Sequence, residues 1–180
     1  MLRKSIALLG ILGTSLLLLG CGFHLRGQVE LAPPLKHLYL ETREPYSELS
    51  RNLKQSLTAS HVILTETPQQ ADTILEIISD NESQQLLSVG GTQQTRQYNL
   101  ILTVAFQVKT SAGKIILPTQ TISENQPITI QADQVLGGSN EQNNLYHQMR
   151  RAIVNTLMMR LSSKGVANSV MENTQLHSNQ

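Results

Sequence analysis

Tyr98-Asn99-Leu100-Ile101-Leu102-Thr103-Val104-Ala105-Phe106-Gln107-Val108 alternates for eleven residues, and this stretch decides the fold. Tyr98, Leu100, Leu102, Val104, Phe106 and Val108 point one way; Asn99, Thr103 and Gln107 are among those that point the other. Side chains of a β-strand alternate between the two faces of the sheet, so a period of two held this long predicts a strand with one buried and one more polar face. Ser111-Ala112-Gly113 supplies a hairpin turn, and Lys114 to Ile122 returns as the partner strand. Pro118 and Pro127 lack a donor N–H, which assigns the returning portion to a sheet edge or to bulges.

Other strands lie upstream. His37 to Arg43 alternates, with Leu38 and Leu40 on one face and Tyr39 on the other. His61 to Thr65 is a second short candidate. Thr73 to Ser79 is a third, extending twisted or bulged through Asp80–Gln85 to Val89, where Gly90-Gly91 breaks it. Pro45 opens a helical pattern in which Tyr46, Leu49, Leu53 and Leu57 recur at three- and four-residue spacing. After Gly137-Gly138, Ser139 to Gln142 fits a capping box. The helix beyond it carries Leu145, Met149, Ile153, Leu157 and Leu161 as its stripe, with Ala152 between them. It is expected to stop near Gly165, with Arg160 and Lys164 at its negative end. The order strand, helix, several strands, helix predicts a two-layer α/β sandwich. Two helices pack on one face of a mixed, largely antiparallel β-sheet, and the other face is left for solvent or a partner. Residues 165–180 are polar and patternless and are expected to be disordered.

The N-terminus has a separate logic. Arg3 and Lys4 precede an apolar run from Ile6 to Leu19, followed by Gly20 and Cys21. A basic start, a hydrophobic stretch of this length and a small residue before the cut make a secretory signal peptide. The run is shorter than the roughly 20 apolar residues a membrane span needs, and Gly10, Gly13, Thr14 and Ser15 interrupt it. Leu18-Leu19-Gly20-Cys21 looks like a bacterial lipobox, which expects cleavage between Gly20 and Cys21 and acylation of Cys21 on both its nitrogen and its sulfur. Cys21 is the only cysteine, so no internal disulfide forms. The expected organisation is a signal at 1–20, a lipidated tether at 21–34, one α/β domain at 35–164 and a tail at 165–180.

Composition excludes some functions. The chain has 14 basic and 13 acidic residues; removing Arg3 and Lys4 with the signal leaves 12 against 13, a formal net of −1. No basic face for nucleic acid is indicated. Charged residues make up 15% of the chain, well below the roughly 25% of average soluble domains. Gln, Asn, Ser and Thr take their place, and such a surface loses less on being enclosed by another polar surface than a Lys/Glu-rich one would. The search for catalysis is thin. No G-x-S-x-G elbow is present. His24, His37, His61, His147 and His177 show no zinc-site spacing, and the two glycine pairs are not a phosphate loop. His147 reads as a satisfied surface histidine, and Glu76 with Asp80 as solvated carboxylates. No enzyme, metal or cofactor is expected.

One resemblance adds to this. Cys21-Gly22-Phe23-His24-Leu25-Arg26-Gly27, the strand Tyr98–Val104 and Asn140-Glu141-Gln142 together resemble the LptE family of LPS-assembly lipoproteins over roughly residues 1–163. The resemblance implies a plug inside the lumen of an LptD-type β-barrel, the pair forming the translocon that inserts lipopolysaccharide at the cell surface. It also implies attachment to the outer membrane through the lipid anchor, with which Gly22 after the cysteine is compatible. Family members can carry basic residues, as LPS phosphate contacts, at two loop positions that fall on Gly91 and Gly138 here; Arg96, Lys109 and Lys114 are the nearby basic candidates. A free lipoprotein that binds LPS or another envelope lipid without a barrel is the alternative reading of the same residues.

Overall fold

The computed structural model of the protein describes residues 31–91, 95–131 and 135–178. Its strands are β1 (His37–Thr42), β2 (Ile63–Leu64), β3 (Thr73–Val89), β4 (Thr95–Thr110) and β5 (Ile115–Gln131), and its helices are α1 (Glu48–Ala59), α2 (Val135–Leu161) and α3 (Lys164–Ser178). The five strands form one sheet in the order β2-β1-β3-β4-β5. β1 runs parallel to β2 and β3, while β3, β4 and β5 form an antiparallel meander. This is the two-layer α/β sandwich expected from the alternation, with a third helix added.

The core sits between the sheet and the helices. Leu100, Leu102, Val104, Phe106 and Val108 of β4 are fully buried, and they meet Leu49, Leu53 and Leu57 of α1 and Met149, Ile153, Leu157 and Leu161 of α2 in one cluster. Gly113 turns the β4–β5 hairpin at φ +87°, a region that a Cβ disfavours. Pro127 stands opposite Asn99, and Pro118 lies in the irregular stretch between the pairs Val108↔Leu117 and Phe106↔Gln120. Both prolines are therefore on the edge strand. β5 runs past Ile122 to Gln131, because Ile122, Ile128 and Ile130 keep the alternation while the polar residues between them lie on a strand open to water.

β3 contains two bulges, between Ile77 and Ser79 and between Leu86 and Ser88. The first changes the parity of the strand. Leu75 and Ile77 face the helices opposite Val108 and Phe106, but beyond the bulge it is Asp80, Glu82 and Gln84 that stand opposite Val104, Leu102 and Leu100. Ser79, Asn81, Ser83 and Gln85 are turned to the open face.

Several expectations are corrected. Tyr46 is 87% exposed and outside the α1 stripe. Helix α1 begins later, because Ser47 is its cap and accepts from the Ser50 N–H, leaving Pro45 and Tyr46 in the preceding turn. Gly137-Gly138 does not end the β part but lies within α2, so the Ser139 capping box is internal to the helix. The stripe of α2 also takes in Tyr146, Val154 and Met158. The helix stops at Leu161, before Gly165, so Lys164 starts α3 rather than closing α2. Arg160 does sit in the last turn of α2, donating to the Thr121 C=O at 3.0 Å. The polar tail is helical rather than disordered, with Val166 and Val170 buried against the end of the core. Leu31 and Ala32, expected in a tether, are already core, and Pro33–Leu35 form a 3-10 turn that suits the fixed φ of proline. Cys21, the cut after Gly20 and the residues carrying the N-terminal resemblance lie outside the described residues.

Candidate functional surface

The helix-free face of the sheet is built from β3 beyond its first bulge, the odd positions of β4, and β5. It presents Ser79, Asn81, Ser83 and Gln85; Asn99, Ile101, Thr103 and Ala105; and Thr121, Ser123, Asn125 and Pro127. None of these residues is charged. Thr103 Oγ1 and Ser123 Oγ share a hydrogen bond of 3.1 Å across the strands. Charge on this face is gathered at one end, in a chain that crosses four strands. Thr119 Oγ1 donates to Gln107 Oε1 (3.1 Å), Gln107 Nε2 donates to Glu76 Oε2 (2.8 Å), and Lys109 Nζ reaches Glu76 (3.0 Å) and Glu41 (2.6 Å). The Gln107 and Lys109 hydrogen bonds hold the Glu76 carboxyl below its ordinary value; hydrogen bonds to Glu41 and Glu76 hold Lys109 above its own. Unpaired ions cost several kcal/mol each to remove from water. A face of hydroxyls and amides, with its few charges already answered, avoids most of that cost.

The opposite side carries the second polar cluster. Arg150 of α2 donates to Glu48 at the start of α1 (3.2 Å) and to Glu82 of β3, and His147 Nδ1 lies 2.5 Å from the same Glu48 oxygen. Tyr146, nearly buried, donates its hydroxyl to the Ser83 C=O at 3.1 Å. Burial raises the Tyr146 phenol above its ordinary value. These contacts tie both helices to the distal half of β3. Next to them, an open cleft of about 250 Å³ lies between Thr42–Glu44, Ser47 and Ile77–Asn81.

Among the described residues, His147 bonds the Glu48 carboxylate and no hydroxyl or thiol. Glu76 and Asp80 stand on opposite faces, opposite Gln107 and Val104 respectively, so they do not flank a common substrate. Among the described residues no group of three or more His, Cys, Asp or Glu could hold a metal ion, and no helix is long and apolar enough to cross a membrane.

The three basic candidates do not converge. Arg96 is exposed near the start of β4, opposite Val89 and Ile130. Lys109 and Lys114 lie at the other end of that strand, roughly 40 Å away at about 3.3 Å per residue. Lys109 is engaged by two carboxylates. Lys114 is exposed at the β4–β5 turn, its N–H donating to Thr110 Oγ1. Gly91 is exposed beside the break between β3 and β4, and Gly138 falls within α2. The Arg150 and Tyr146 contacts are not visible in the residue pattern, because they join positions 63 to 102 residues apart and depend on the bulge in β3.

The fold and sequence have known counterparts. An LPS-assembly lipoprotein LptE of Yersinia enterocolitica is 39% identical over 90 residues, covering 49% of this chain and 44% of the relative. Another, from Pectobacterium atrosepticum, is 33% identical over 100 residues, covering 54% of each chain. The match thus spans about half the length of these curated relatives. Among solved structures, a minor lipoprotein of Acinetobacter baumannii aligns with TM-score 0.60 at 23% identity, over 71% of this chain and 91% of the other. The rare lipoprotein B of Shewanella oneidensis aligns with TM-score 0.58 at 20% identity, over 79% and 98%. At such identities these two structures speak for the fold alone. The profile of the family described as "LptE: Lipopolysaccharide-assembly" matches residues 35–161, from the turn before β1 to the end of α2, and the chain belongs to that family.

Proposed function

We propose that the protein is a non-catalytic lipoprotein, anchored in the outer membrane through acylated Cys21, that plugs and helps assemble an LptD-type β-barrel and with it inserts lipopolysaccharide at the cell surface. The observation that carries this reading is the open face of the sheet, uncharged beyond the paired Glu41, Glu76 and Lys109 at one end. A wet, polar barrel lumen can enclose hydroxyls and amides with little loss, because each of them finds a hydrogen-bond partner or a bridging water. Membership of a lipopolysaccharide-assembly family supports the same direction. Arg96 is the basic residue best placed for an LPS phosphate: it is exposed near the start of β4 and has a planar fork suited to phosphate oxygens. Lys109 and Lys114 belong to the opposite end, where the first already binds two carboxylates.

The test is recovery from detergent-solubilised outer membranes. The reading expects the chain to come out with a large β-barrel protein, and recovery as a lone monomer overturns it. Cys21→Ala should abolish lipid labelling and alter processing of the precursor. Arg96→Glu should weaken binding to LPS micelles, whereas Lys54→Glu, an exposed change on α1, should not.

A further inference from the structure

β1 stops pairing with β3 at Ile77, while β3 continues for twelve more residues to Val89. Beyond that step no described strand lies on the outer side of β3. Every side chain from Asp80 to Val89 is exposed. The phase of the ladder shows which backbone groups are left over. Gly90 N–H donates to Thr95 C=O at 2.8 Å. Counting along β4 from there, Asn99, Ile101, Thr103 and Ala105 exchange hydrogen bonds with β3, since bonded and non-bonded pairs alternate in an antiparallel ladder. Leu86, Gln84, Glu82 and Asp80 occupy the non-bonded positions opposite Tyr98, Leu100, Leu102 and Val104. Their N–H and C=O groups point outward, away from the sheet.

Other free edges in this sheet are guarded. β5 carries Pro118 and Pro127, and β2 is two residues long. The outer edge of β3 has neither proline nor lysine between its two bulges, so Ser79–Leu86 forms an uninterrupted run of strand length. Leu86, Leu87 and Val89, 51%, 50% and 47% exposed, continue it as an apolar strip.

We propose that this edge takes up an extended segment of the barrel partner as an added strand, a mode of recognition in which main-chain hydrogen bonds hold the segment and side-chain pockets select it. The inference rests on the plug reading above. Strands in a closed barrel wall have no free edge, so the segment comes from a loop or terminal arm of the barrel. Charge and polarity describe it: a basic residue beside the exposed Asp80, and apolar residues beside Leu86 and Leu87. A second copy of this chain fits poorly. Symmetric antiparallel pairing has to set outward groups against outward groups, so it centres on a residue: about Ser83 it sets Asp80 against Leu86, and about Glu82 it sets the two Glu82 carboxylates opposite each other.

Amide hydrogen exchange on the complex isolated from outer membranes, compared with the isolated chain, tests this directly. Amides of Asp80, Glu82, Gln84 and Leu86 should slow by about tenfold or more in the complex, as pairing removes them from solvent. Gln84→Pro supplies a second arm. It deletes one outward N–H while sparing the β3–β4 ladder, as Pro127 does on the other edge, and should reduce recovery of the barrel where Gln84→Ala does not. A barrel recovered with the β3 amides exchanging at the isolated-chain rate overturns the inference and leaves the plug reading intact. A lone chain overturns both. Protection already present in a dimer of the isolated chain assigns the edge to a second copy and overturns the proposal.

Discussion

Val170→Ala should undock α3. A helix of 15 residues is marginal on its own in water, so the order of α3 has to come from what it packs against. Val170 is fully buried and Val166 is 8% exposed, against the 3-10 turn at Pro33–Leu35 and β5. Replacing Val170 by alanine removes two buried carbons, about 1.6 kcal/mol at roughly 0.8 kcal/mol each. The cavity left behind brings the cost to about 2 kcal/mol. That lowers the docking equilibrium by roughly thirtyfold at 1.4 kcal/mol per factor of ten. α1 has 12 residues, α2 has 27 and α3 has 15, so full undocking removes about a quarter of the helical ellipticity at 222 nm. Amide exchange at 164–178 should quicken by a similar factor, while that of β4 stays slow. Asn168→Ala, on the exposed side of the same helix, is the control and should leave exchange unchanged or slower, since alanine is the better helix former. Wild-type exchange in Val170→Ala, or equal loosening in Asn168→Ala, would refute the claim that docking rather than intrinsic propensity holds this helix.

Thr73 is fully buried and its Oγ1 donates to the Pro34 C=O at 3.0 Å; Thr73→Val should cost about 1–2 kcal/mol in urea unfolding, because it strands that carbonyl. Arg150→Met should cost about 1 kcal/mol, and a double-mutant cycle with Glu48→Gln should show coupling of about half that or more, whereas additive effects would separate the two helices electrostatically. Glu76 is held below its ordinary value chiefly by its hydrogen bonds from Gln107 and Lys109, so it contributes stability above the unfolded-state value of 4.5 that is lost as pH falls through the lower folded value. Urea midpoints measured from pH 6 down to pH 3 should fall more steeply in the parent than in Glu76→Gln.

Features set by short-range period were legible in the chain. The eleven alternating residues of β4 carry the sheet, its buried face and the hairpin at Gly113, since each depends on neighbours two to four positions apart. Local punctuation is less dependable. Gly137-Gly138 reads as a stop, yet about 1 kcal/mol of propensity per glycine is outweighed once the rest of α2 is packed on β4 and β5. Pro45 and Tyr46 read as a first helical turn, but Ser47 supplies the cap oxygen and starts the helix after them. The polar tail becomes a helix through two valines, too few to make a stripe but enough to dock one.

The candidate surface was the least legible part, and the cause is a single residue. Strict alternation continued from Ile77 would put Ser79, Asn81, Ser83 and Gln85 under the helices and send Asp80 and Glu82 to the open face. The extra residue at the bulge reverses this. It brings Glu82 to Arg150, which also holds Glu48, and it clears carboxylates from the distal open face. No composition or spacing rule marks where a bulge falls, because its position is settled by which register lets β4 bury its even face along its whole length. The same choice yields both properties on which the functional reading depends: charges secured between helices and sheet, and a hydroxyl and amide face left for a polar partner to enclose.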